Sequence, residues 1–243
     1  MTNIVLLNNL DHADLRVAPG YGAAFGDAIN QVLVFPTEFE ALQREYVILF
    51  RKDPQGAPQA VALLGLDRDE NLFLDGSEWR ARYVPAIQRR GPFSIGLRSA
   101  QTPGSEPDAN INVDLDHPRI ADAGGKGEAV FRRHGGATPY LDTITVALAD
   151  IYEGLKAVGP MFEALDAAGL IEPVAIDVTT AAGVRYDLED IFTVSRDRLA
   201  ALDGPALERL HRGGWLTLAI HVVSSLANLG RLVEMKDARK VAR

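Results

Sequence analysis

Apolar residues change their spacing part-way along this chain, and that change limits the folds open to it. Before residue 120 they come in short continuous runs: "YVILF" (46–50), "AVALLGL" (60–66), "NLFLDG" (71–76), "PFSIGL" (92–97) and "INVDL" (111–115). Runs of this length predict strands, and their lack of alternation predicts a sheet covered on both faces. After residue 120 apolar residues recur at helical spacing. "TPYLDTITVALADIYEGLKAV" and "GPMFEALDAAG" read as two helices, the first with Pro139 in its opening turn and the second stopped by Gly169. "PVAIDVTTAAGVRYDL" (173–188) reads as a hairpin about "AAG", and "DIFTV" as one more short strand. "SRDRLAAL", "GPALERLHRGG" and "WLTLAIHVVSSLANLGRLVEMK" predict three closing helices. Ahead of these strands, "PTEFEALQREY" predicts a short helix, with Thr37 and Glu40 placed for a capping box. Strands gathered early and helices late predict an α+β fold, its mostly antiparallel sheet in the N-terminal half packed with a helix-rich C-terminal half. Residues 1–243 are expected to form one domain, with 1–120 and 121–243 as possible lobes.

Composition excludes several functions. The 243 residues carry a net charge of -8, which argues against nucleic-acid binding, since phosphate neutralisation needs a dominant basic face. With no cysteine there is no disulfide, thiolate metal site or cysteine nucleophile. The N-terminus "MTNIVLLNNLDHADL" has no basic region, and "WLTLAIHVVSSLANLG" carries His221 and Asn228 and falls short of a spanning helix. A soluble, cytoplasmic chain without membrane insertion is expected.

Against that acidity, one stretch stands out. "WRARYVPAIQRRGPFSIGLR" (79–98) holds Arg80, Arg82, Arg89, Arg90 and Arg98 and no acid. Guanidinium groups bind carboxylate or phosphate and stack on aromatic faces, which Trp79, Tyr83 and Phe93 supply. Pro85 and Pro92 stiffen the segment as a loop. The residues assigned to a ligand are therefore Trp79, Arg82, Tyr83, Arg89, Arg90 and Arg98. The alternative is internal pairing of these arginines with the chain's own acids.

Other patterns are weaker. "DRDENLFLDGSE" places Asp67, Asp69, Asn71, Asp75 and Glu78 at the ligand positions of a calcium-binding loop, but Leu72 stands where a sharp turn needs Gly. A hairpin with solvated carboxylates explains the same letters. His12 and Asp14 have the spacing of a facial-triad iron site, yet sit in an irregular segment. "GGKGEAVF", with Gly124, Gly125 and Gly127 around Lys126, lacks the Ser or Thr and the strand of a phosphate-binding loop. Ser224 and Ser225 lie among apolar residues and read as small groups at a helix contact. No metal, cofactor or catalytic residue is assigned.

The block "LLGLDRDENLFLDGSEWRARYVPAIQRRGPF" resembles the SapC family, bacterial proteins named for a surface-layer gene locus. So do "NNLDHADLRV", "INVDLDHPRI" and the stretch from "SRDRLAAL" to "LANLGRL". The resemblance implies an accessory role, since family members are associated with outer-membrane nutrient uptake and with oxygenases or halogenases. The residues and the resemblance together predict a non-enzymatic binding or adaptor protein for an anionic small molecule or an acidic segment of a protein partner. The competing expectation is an enzyme on a small acidic substrate, with the arginines as a clamp and Asp114, Asp116 and His117 as acid-base groups. The apolar C-terminal stretch leaves a homo-oligomer contact possible.

Overall fold

A computed structural model describes residues 3–98, 108–121 and 125–241, without the side chains of residues 97, 98, 108, 109, 240 and 241. Chain order is β1 (Ile4–Leu6), β2 (Arg16–Val17), β3 (Gln31–Val34), α1 (Phe39–Leu42), β4 (Val47–Lys52), β5 (Pro58–Leu63), β6 (Leu74–Asp75) and β7 (Glu78–Trp79). Then follow α2 (Ala86–Arg89), β8 (Phe93–Arg98), β9 (Asp108–Asp114), β10 (Ile120–Ala121), β11 (Glu128–Ala129) and α3 (Pro139–Ala167). The chain ends with β12 (Ile171–Thr179), β13 (Arg185–Val194), α4 (Arg196–Ala200), α5 (Gly204–Arg212), α6 (Trp215–Ser225) and α7 (Asn228–Val241). The fold is α+β, and every strand pairing is antiparallel.

The main sheet has the order β12-β13-β4-β5-β3, so it draws strands from both halves of the sequence. Val47–Phe50 and Ala60–Leu63 are buried, as runs apolar on both faces must be when helices cover both sides. Phe162 of α3 packs edge-on to Phe50, their ring centroids 4.8 Å apart. α6 also packs on β4 and β13. There β13 pairs with β4 only at Phe50, and the hydroxyl of Ser225 supplies the acceptor that the Ile48 N–H needs. Ser225 is thus a structural hydrogen-bonding group where β13 leaves this central strand unpaired.

A second sheet, β1-β9-β8, closes a smaller core of Phe93, Val113, Val17 and Val130 against Leu141, Ile144 and Leu148 of α3. The long helix therefore spans both cores. Its start is capped by the Thr138 hydroxyl, which accepts from the Leu141 N–H. Mid-helix, Gly154 lies against Phe35; a Cβ there would sit 2.3 Å from the Phe35 Cβ.

Several expected boundaries moved. The two helices expected over 138–169 are one, because Pro160 faces solvent, so the carbonyl its missing N–H leaves free is not stranded in the core. "DIFTV" continues β13 past a bulge between Val174 and Ile176, with Asp190 at φ 56°. "NLFLDG" forms only the two-residue β6. The "PTEFE" turn begins as a 3-10 helix, Pro36–Glu38, and its cap is Glu38, whose Oε2 accepts from the Phe35 N–H at 3.1 Å. Thr37 instead donates to the Asp150 carbonyl. The last expected helix breaks at Leu226 and Ala227, where Asn228 Nδ2 reaches the carbonyls of Gln43 and Tyr46. By length and composition alone Trp215–Arg239 is long and apolar enough to cross a membrane, which corrects the expectation that it falls short. In this fold Ala219, Val222, Val223 and Leu232 of that stretch are buried in the main core.

Candidate functional site

The arginine-rich segment is anchored by a buried carboxylate. Glu38, 1% exposed, accepts from the Ala86 N–H at 2.6 Å and the Tyr83 hydroxyl at 3.0 Å, as well as from Phe35. Burial raises its pKa, and the three hydrogen bonds oppose the rise. Trp79 Nε1 donates to the Tyr46 hydroxyl at 2.7 Å, which in turn donates to the Tyr83 carbonyl at 2.5 Å. Trp79 and Tyr83, expected as faces for a ligand, thus spend their polar groups on this internal network.

The arginines diverge from this anchor. Arg80 pairs with Asp75 across the β6-β7 hairpin. Arg82 donates its backbone N–H to Glu45, and its side chain borders an exposed depression shared with Arg44, Arg80 and Arg231. Arg89 turns inward, donating through Nη2 to Asp150 at 2.9 Å and to the Tyr83 hydroxyl at 2.8 Å. Arg98 contributes its backbone to β8, and its side chain lies outside the described residues. One outward-facing cluster is not what forms.

Arg90 is different. The single-turn α2 ends beside Gly91, whose φ of 53° turns the chain sharply into β8. That turn leaves Arg90 half-buried, donating through Nη1 to the Phe93 carbonyl at 2.6 Å. Among the described residues it makes no ion pair. Burial alone lowers its pKa, with no neighbouring acid to compensate.

Arg90 borders a cavity of about 200 Å³ together with Arg119, His117, Gln88 and Asp27. Arg119 is the buried member, its side chain 7% exposed, paired at 2.8 Å with Asp27, whose side chain is 4% exposed. The guanidinium lies over the rings of Tyr21 (4.9 Å) and Phe25 (5.3 Å). Asp27 also accepts from Gln88 Nε2 at 3.1 Å and the Gly22 N–H at 2.8 Å, so both of its oxygens are engaged. Arg119 meets Asp27 through Nη2 only, and its Nη1 lies 3.5 Å from where a Cβ on Gly91 would stand. Donor capacity is left over.

His117 completes the wall. Its Nδ1 accepts from the Arg119 N–H at 3.1 Å, which places the proton of the neutral ring on Nε2 as a donor. Burial first, and the Arg119 charge second, hold its pKa below the ordinary histidine value. A second cavity, of about 170 Å³, lies on the other side of Arg119, bordered by Arg89, Tyr21 and Tyr140. Burial pushes the Tyr140 hydroxyl up to about 12, so it stays a donor at neutral pH. Asp150 pairs with Arg89 and Asp27 with Arg119, which leaves Arg90 as the arginine of these three without an ion pair among the described residues.

The remaining motifs are absorbed by the fold. Lys236 reaches both Asp67 and Glu70, so the calcium-like loop already holds a cation, and Glu70 also accepts from the Leu66 and Asp67 N–H groups. Asp114 Oδ1 accepts from the N–H groups of Asn3 and Asp116, as a turn-forming carboxylate does. His12 Nδ1 accepts from the Asn8 N–H. Gly127 sits against the Val17 carbonyl beside β2, and Gly124 lies outside the described residues. Among the described residues no group of three His, Asp or Glu is arranged to hold a metal ion. Sequence reasoning missed Arg119, Asp27 and Glu38. Arg119 and Asp27 are 92 residues apart, and no spacing rule connects them.

The SapC family model matches residues 7–232 of the chain. No curated protein and no solved structure matches it.

Proposed function

The chain belongs to the SapC family, and on that premise we propose that it is a non-enzymatic binding protein for a small carboxylate- or phosphate-bearing molecule. The anion sits in the cavity between Arg90, His117 and Arg119. The observation that carries this reading is Arg90, a half-buried guanidinium with no acid paired to it, beside a second arginine with a donor to spare. A half-buried cation with no acid paired to it is costly, and an incoming anion offsets that cost. The cavity's 200 Å³ suits a compact anion, smaller than a drug-sized ligand. An accessory role beside outer-membrane nutrient uptake, in a cytoplasmic setting, is part of the same proposal and draws its support from the family resemblance.

Calorimetric titration of pyrophosphate and of citrate tests it. At least one should bind the natural chain saturably, and Arg90→Gln should weaken that binding roughly tenfold or more, as loss of a charged hydrogen-bonding partner does. Equal affinity in the variant, or no saturable heat at millimolar anion, would overturn the proposal.

A further inference from the structure

A groove of about 530 Å³ runs between the C-terminal half of α3 and the ends of β4, β12 and β13, sharing no residue with the anion cavity. Its apolar floor includes Phe50, Phe162 and Phe192. Gly159, Phe162, Glu163 and Asp166 stand at i, i+3, i+4 and i+7, so one stripe of α3 forms the whole helical wall. Gly159 leaves open space where a side chain would otherwise fill the groove.

The charges at its lips are arranged by sign. Arg51 and Lys52 stand on the strand side, Glu163 and Asp166 on the helix side. None of the four makes an ion pair among the described residues. The Lys52 ammonium lies 5.7 Å from the centroid of the Phe192 ring. Residues of opposite sign on the two walls of an aromatic floor, none of them ion-paired among the described residues, describe the complement of one kind of guest.

We propose that this groove binds an elongated apolar zwitterion, its carboxylate toward Lys52 and Arg51 and its ammonium toward Glu163 and Asp166. The volume lies within the range of small-molecule sites, and aromatic walls favour an aromatic body. Opposed lip charges reject a fatty-acid anion and an apolar amine alike, because either leaves one lip desolvated and unanswered.

The probe is 4′-(aminomethyl)biphenyl-4-carboxylate, titrated calorimetrically into the full chain, with biphenyl-4-carboxylate and 4-phenylbenzylamine as the singly charged comparisons. The zwitterion should bind saturably and roughly tenfold tighter than either comparison. Lys52→Gln should weaken the zwitterion and the carboxylate and spare the amine; Glu163→Gln should weaken the zwitterion and the amine and spare the carboxylate. Both positions are exposed, so neither substitution endangers the fold. Saturating pyrophosphate should leave the zwitterion's affinity unchanged. Absence of saturable binding, equal affinity for all three probes, or indifference to both substitutions would overturn the assignment.

Discussion

Replacing Asp27 by Asn separates the structural from the binding role of the buried arginine. The side chain keeps its shape, but Arg119 loses the carboxylate that holds it at 2.8 Å, with side-chain exposures of 7% and 4%. Removing one member of a buried pair costs about 3–5 kcal/mol, because the surviving charge is left desolvated. Asp27 also takes hydrogen bonds from Gln88 and Gly22, and an amide can satisfy only some of these donors. In a chain of this size each kcal/mol moves the melting temperature by about 2–4 °C, so the midpoint should fall by roughly 6–20 °C. Thermal unfolding followed by circular dichroism reads this directly. The binding claim adds a second outcome: an anion that reaches Arg119 should recover part of the loss, about 2.7 kcal/mol at a hundredfold excess over its Kd. A fall below about 2 °C would show that the pair is not a structural anchor. A full fall with no recovery in pyrophosphate would show that no anion reaches Arg119.

Gly154→Ala should destabilise the chain by about 1–3 kcal/mol in urea titration, since the added methyl would sit 2.3 Å from the Phe35 Cβ; an unchanged midpoint would refute that contact. Glu38→Ala, which strands the Phe35 and Ala86 N–H groups and the Tyr83 hydroxyl, should cost about 3 kcal/mol or more, and a loss under 1 kcal/mol would show that the network is dispensable. His117 is held below its ordinary pKa, so the folded chain stays neutral there while the unfolded chain takes up a proton below about pH 6.5. Stability should therefore fall as pH drops from about 6.5, and His117→Gln should flatten that part of the profile; identical profiles would remove His117 from the account.

The architecture was legible wherever burial dominated. The runs at 46–50 and 60–66 carry most of β4 (Val47–Lys52) and β5 (Pro58–Leu63) because both faces are covered, and the helical spacing after residue 138 is the packed face of α3. Where local signals and tertiary context competed, context won. Pro160 reads as a break and is carried through because its side of the helix faces water, and "NLFLDG" yields its backbone to a turn held by Asn71 and Arg239. For the candidate site, arginine content singled out residues 79–98 without saying which way each side chain would turn. Arg89 went to Asp150 on α3 and Arg82 to the surface, choices fixed by partners more than 35 residues away. Arg90 stays half-buried on the Phe93 carbonyl, without an ion pair among the described residues. Its neighbour Arg119 comes from the "DHPRI" turn, which reads locally as a loop and gains meaning only once β9 brings it against the "APGYG" segment.

The most direct test follows the arginine Nε–Hε and histidine ring resonances by ¹⁵N–¹H correlation while pyrophosphate is added. A guest in the cavity should shift Arg90, Arg119 and His117 together, saturably and with one Kd, and leave Arg185, paired on the surface with Asp177, unmoved. Shifts confined to exposed arginines, or no shift at Arg90 up to millimolar anion, would contradict it.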